Sequence, residues 1–227
     1  MWQRAVGPAQ ENGDREKAGM YQAGQAVCLA LFGNTVAARR LALAALDLGK
    51  GRDVEYSAAF ALELAGDSSR AQELTDDLEK RFPEDTSVQF SYLPTLRALF
   101  ALGRNDPSLA LKKLEPAIRF DLAFPGTAFF AKFGSLHSAY LRGVAYLAAQ
   151  QGNEAAGEFK KILDHRSIVL ADPVGVLAHL QLGRALALAG NKVKAKPAYQ
   201  HFFTLWKDAD KDIPILTQAK AEYAKLQ

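Results

Sequence analysis

The sequence predicts an all-α fold, a right-handed α-solenoid of about five helical hairpins with a C-terminal capping helix. Three observations predict it. Alanine is over-used, at 40 of 227 residues, and β-branched residues are sparse and scattered, a composition that favours helix nearly everywhere. Apolar residues recur at three- and four-residue steps, and no stretch alternates with a period of two between turn dipeptides, so no hairpin strand is expected. The breaks recur as well. Gly33-Asn34, Gly66-Asp67, Gly103-Arg104, Gly152-Asn153 and Gly190-Asn191 each follow an apolar helical stretch and precede an Ala-rich one, at intervals of 33, 37, 49 and 38 residues. Intervals close to ~34 residues, each made of two helices, are the mark of stacked helical hairpins.

The elements follow in order. Residues 1–14 read as a partial preceding repeat helix or a disordered lead, with Trp2, Ala5, Val6 and Ala9 as its stripe and Asn12-Gly13-Asp14 as its turn; Gly7-Pro8 would disturb that helix. The repeat array spans 15–210, with helix pairs near 15–32 and 35–48, 53–65 and 68–81, 86–102 and 107–119, 127–150 and 153–165, and 174–189 and 192–207. Gly66-Asp67-Ser68-Ser69 supplies a stop followed by N-cap candidates, and Pro83 ends the helix that begins there. The longest irregular stretches, 120–126 and 165–173, read as loops projecting from one side. Residues 211–227 form the capping helix: Ile213-Pro214 starts it, and Ile215, Leu216, Ala219, Tyr223 and Leu226 cover the last apolar face.

Composition narrows the setting. With 28 basic and 25 acidic side chains the formal charge is +3, too small for a nucleic-acid surface. The longest apolar stretch, 26–32, falls far below the ~18–20 residues that cross a bilayer, and the N-terminus lacks the apolar region of a secretory signal. Cys28 is the single cysteine, so no intrachain disulfide forms. The expectation is a cytoplasmic protein whose partners include neither membrane nor nucleic acid.

The repeats resemble the tetratricopeptide repeat. The best copy carries Leu182-Gly183, Leu186, Gly190, Ala195, Tyr199 and Phe202. The copy before it has Gly143, Tyr146, Ala156 and Phe159, and another has Ala59, Leu62, Gly66, Ala71, Leu78 and Pro83. Two weaker copies centre on Gly33 and Gly103. In such hairpins a small residue such as Gly183 or Ala195 lets the two helices approach closely, and Tyr199 and Phe202 fill the space beside the neighbouring hairpin. Lys161-Ile162-Leu163-Asp164-His165-Arg166, Ala178-His179-Leu180-Gln181-Leu182-Gly183-Arg184 and the ending from Phe203 to Tyr223 are similar to the C-terminal repeat region of bacterial eukaryotic-like serine/threonine protein kinases and related winged-helix regulators. The resemblance implies repeats that sense or recruit something for an N-terminal catalytic or DNA-binding domain, a signalling role.

No catalytic set stands out. Asp164-His165-Arg166-Ser167 carries serine where a kinase needs its catalytic aspartate, and no Gly-rich phosphate loop precedes it. His137, His165, His179 and His201 include no pair four apart and have no accompanying cysteine, so no metal site is expected. Cys28 lies among Val27, Leu29 and Leu31 and reads as an inert thiol. No enzyme activity and no cofactor are expected.

A binding function would use the first helices of the hairpins, which line the inner surface of such an array. Carrying over the groove-facing positions by register gives Tyr56, Phe60, Phe90, Arg97, Phe100, His137, Tyr140 and Arg184 as the main candidates. This set is aromatic and apolar with two arginines, and lacks the lysines and asparagines that clamp a terminal carboxylate. It suits an apolar or amphipathic peptide or helix, with Arg97 and Arg184 placed to pair with a partner's carboxylate. The expectation is a non-catalytic protein-interaction scaffold binding a protein or peptide, with a homo-oligomer through the open N-terminal repeat face as one arrangement. The alternative is a ligand- or signal-sensing module of a kinase or winged-helix regulator, favoured if 120–126 and 165–173 cap a cavity.

Overall fold

The structure, a computed structural model, describes residues 3–123 and 136–226. Among these residues the chain is all-helical, with no strand. The helices are α1 (Gln3–Glu11), α2 (Arg15–Leu31), α3 (Thr35–Leu46), α4 (Arg52–Leu64), α5 (Ser68–Arg81), α6 (Leu93–Gly103), α7 (Pro107–Leu114), α8 (Leu136–Ala148), α9 (Gly152–Asp164), the single turn α10 (Arg166–Val169), α11 (Pro173–Leu188), α12 (Lys192–Leu205) and α13 (Pro214–Ala224). Residues 1–2, 124–135 and 227 lie outside the described set. With them go the expected role of Trp2, residues 124–126 of the loop 120–126 and the start of the expected helix 127–150.

Five hairpin turns are built alike, and the turn between α1 and α2 repeats them, with Gly13 at φ 75° and the Asp14 N–H on the Ala9 carbonyl at 2.9 Å. Gly33, Gly66, Asn105, Gln150 and Gly190 all have positive φ, between 59° and 89°. In each, the next residue's N–H reaches back five residues to a helix carbonyl: Asn34 to Leu29, Asp67 to Leu62, Asp106 to Ala101, Gln151 to Tyr146 and Asn191 to Leu186, at 2.8–2.9 Å. This closure ends a helix on a left-handed residue and satisfies carbonyls that would otherwise lack partners. The following residue then starts the second helix, and Asn34, Asp106 and Asn191 accept side-chain bonds from the N–H three residues on. At two of the five breaks the expected glycine is not the left-handed residue. Gly103 is the last residue of α6 and Gly152 the first of α9.

The pairs stack in sequence order. The helices α2, α4, α6, α8 and α11 each pack on their own following partner, α3, α5, α7, α9 and α12, and each also packs on the next member of its own set. Every second helix but the last also packs on the first helix that follows it, and α1 lies on α2. Small residues set the spacing within hairpins. A Cβ on Gly143 would lie 2.5 Å from Phe159, and one on Gly183 would lie 2.6 Å from Tyr199, so both rings press on bare backbone. Phe60, Phe159 and Phe202 are fully buried along the seam.

Prolines account for the departures from the expected helices. The expected helix 86–102 enters α6 through a π-turn, Val88–Tyr92, because Pro94 offers no N–H and its ring crowds the carbonyl four residues back. The second helix of that pair tightens into a 3-10 turn, Glu115–Phe120, around Pro116. Pro8, by contrast, sits inside a continuous α1.

The end of the chain meets its beginning. Leu216 and Ala219 of α13 are buried, and Glu222 takes a two-pronged ion pair from Arg184 at 2.8 and 2.9 Å. The start of the same helix reaches the first hairpin: the Ile215 N–H points at the Phe32 carbonyl at 3.4 Å, and Pro214 lies against Gly33. Trp206 meets Phe32 edge to face, ring centres 4.9 Å apart. No described helix is long and apolar enough to cross a membrane.

Candidate functional site

The expected groove residues do not share one surface. Tyr56, Phe60, Phe100, His137 and Tyr140 are all buried, and the reading of the first four as partner-facing side chains is corrected: they fill space between helices. Tyr56 stacks on Tyr92 with ring centres 4.0 Å apart, and Phe60 lies 5.3 Å from the His137 ring. His137 Nε2 pairs with Asp172 Oδ2 at 2.9 Å, while the other oxygen of Asp172 caps α11 by accepting from the Val174 N–H. Tyr92 donates to Asp53 at 2.6 Å. Burial pushes the Tyr56, Tyr92 and Tyr140 hydroxyls above the ordinary tyrosine range, so all three stay protonated and neutral.

The remaining three have partners within the chain. Phe90 is half-buried under the Arg119 guanidinium, 4.4 Å away, and beside Phe120. Arg97 is paired with Glu79 on the surface, and Arg184 with Glu222.

A cleft does lie where the first helices converge, one turn nearer their C-terminal ends than the register placed it. It encloses about 410 Å³. Ala30 and Leu31 come from α2, Glu63 and Leu64 from α4, Leu99, Leu102 and Gly103 from α6, and Tyr140, Leu141 and Val144 from α8, with Gln181 and Ile215 completing the wall. Tyr140 is the one main candidate that lines it. Its hydroxyl accepts from Gln181 at 3.0 Å, Gln181 accepts from Arg184, and Arg184 is fixed by Glu222, so a relay of side chains runs from the cleft to α13. The wall is apolar apart from Glu63, Tyr140 and Gln181.

Glu63 was not singled out by register. It is the lone charge between Tyr56 and Gly66, and that isolation in an apolar run is the signal that could have found it. Its Oε2 is buried with no hydrogen-bond partner. Gly103 faces its other oxygen, where a Cβ would lie 2.7 Å from Oε1.

A second cleft, of about 540 Å³, opens between α2 and the segment 165–173. Cys28, read from the sequence as an inert thiol, is half-buried and lines it, together with Phe32, Arg166, Asp172 and His179. His179 lies 4.2 Å, ring to ring, from His201, a pairing that a separation of 22 residues hides. Burial, then the His201 and Arg166 charges, push the His179 imidazole down to about 4, so at neutral pH it is uncharged. Among the described residues no three His, Cys, Asp or Glu side chains gather as metal ligands would.

Comparison of the chain with protein-family models, curated proteins and solved structures returned no match.

Proposed function

We propose that this chain is a non-catalytic interaction scaffold, a right-handed α-solenoid of tetratricopeptide-like hairpins that takes an apolar or amphipathic peptide or helix. One observation carries the reading: an apolar cleft is walled by residues from four successive first helices, with Leu31, Leu64 and Leu102 at the C-terminal ends of α2, α4 and α6 and Leu141 and Val144 midway along α8. A surface assembled one helix at a time is what a stacked array offers to an elongated partner. The ordered packing of helix pairs and the five repeated turns support the same architecture.

The test is titration of the full chain with leucine-rich amphipathic peptides, against a Val144→Asp variant. Val144 is half-buried, so the change places a charge in the cleft at little cost to the core. Binding should weaken at least tenfold while helical content holds. Equal binding by both proteins would remove this cleft as the docking surface.

A second reading, a ligand- or signal-sensing module, is favoured by the cleft of about 540 Å³ along 165–173, with Arg166, Asp172 and His179 in its wall. A thermal-shift screen of small molecules against the full chain and an Arg166→Ala variant separates the two readings. A hit lost in Arg166→Ala selects sensing.

A further inference from the structure

We infer that the occupant of the cleft between α4, α6 and α8 carries an alkylammonium group, a lysine side chain set among apolar residues, and that Glu63 receives it. This rests on the cleft being the docking surface proposed above and specifies the chemistry that fills it.

Glu63 projects from the last turn of α4 into a wall otherwise made of leucine, valine, alanine and isoleucine side chains with one tyrosine and one glutamine. No lysine, arginine or histidine lines that wall. A carboxylate with one oxygen closed off from water and unbonded is a costly charge in the free protein, and a cation at its other oxygen offsets that charge. Glu63 Oε2 is in that condition. The approach lies on the other oxygen: Gly103 has no side chain, and even a methyl group there would sit 2.7 Å from Oε1.

The geometry selects among cations. A guanidinium prefers two parallel bonds to both carboxylate oxygens, but here one oxygen is sealed in the wall. An ammonium is a compact point charge on an aliphatic stem, suited to one open oxygen with leucines alongside the stem. Gln181 and Tyr140, bonded to each other across the cleft, leave the acid as its single formal charge.

The test measures binding of octylammonium, octanol and octanoate to the full chain by calorimetry, and repeats it with Glu63→Gln and Gly103→Ala. Octylammonium is expected to bind at least tenfold more tightly than octanol, and octanoate more weakly than either. Glu63→Gln should erase the preference while octanol affinity holds. Gly103→Ala, which fills the space beside Oε1, should reduce octylammonium binding alone. A leucine-rich amphipathic peptide with one central lysine should lose at least tenfold in affinity when that lysine is acetylated. Equal binding of octylammonium and octanol would overturn the inference and leave the apolar docking surface standing. Failure of octanol and the peptides alike would overturn the docking surface as well. A preference that survives in a folded Glu63→Gln protein would overturn the assignment to Glu63.

Discussion

Asp121 illustrates how a side chain read as part of a projecting loop becomes structural. It stands just past the 3-10 turn, yet its side chain is only 4% exposed and that of its partner Arg142 only 3%. Ser138 donates to it at 2.9 Å and Lys161 at 3.1 Å, and Arg142 also reaches Glu158 at 2.8 Å. Two acids and two bases thereby tie the segment after α7 to α8 and α9. Removing one member of a buried pair leaves its partner's charge without compensation, a loss of about 3–5 kcal/mol. Asp121→Asn should therefore lower unfolding free energy by that amount in a urea titration. Wild-type stability would mean that Glu158 alone suffices for Arg142.

The hairpin turns show what a sequence can and cannot disclose about its elements. Recurring glycines mark the breaks because a left-handed residue is needed there, and glycine adopts that conformation without a Cβ clash. At Gln150 the chain accepts the clash instead, with φ at 62°. A non-glycine residue in this region costs about 1–2 kcal/mol. Gln150→Gly should thus raise stability by about 1 kcal/mol, and Gly190→Ala should lower it by a similar amount, both read from chemical denaturation. The glycines at the other two breaks serve contacts rather than φ: Gly103 clears the space beside Glu63, and a Cβ on Gly152 would lie 2.7 Å from the Ala185 carbonyl of α11. The helix pairs were legible because periodicity and breaks are local properties. The cleft was not, because burial of Tyr56 and His137 depends on neighbours 35 to 81 residues away, such as Tyr92, Asp172 and each other. The isolation of Glu63 in an apolar run is visible in the sequence, but its lack of a partner exists only once α6 is packed beside it.

At the scale of the molecule, stability depends on whether contacts between the first and last hairpins hold. Trp206 bridges them, touching Phe32 of the first and Phe202 of the last, each with ring centres 4.9 Å away. Trp206→Ala removes a large aromatic from a packed junction, a loss of about 3 kcal/mol. The variant should also show a larger radius of gyration in solution scattering, as α13 loses its seat on the first hairpin. An unchanged radius would mean that Pro214 and Ile215 hold that seat unaided.

In a linear stack, length is free to vary, since each added unit touches only the one before it. Here the Phe32 carbonyl is met by the Ile215 N–H, so the tail is fitted to a place fixed near the head. Duplicating one hairpin in the middle would carry that tail past its seat. Insertion of a sixth unit should therefore uncouple this contact even if every hairpin still folds.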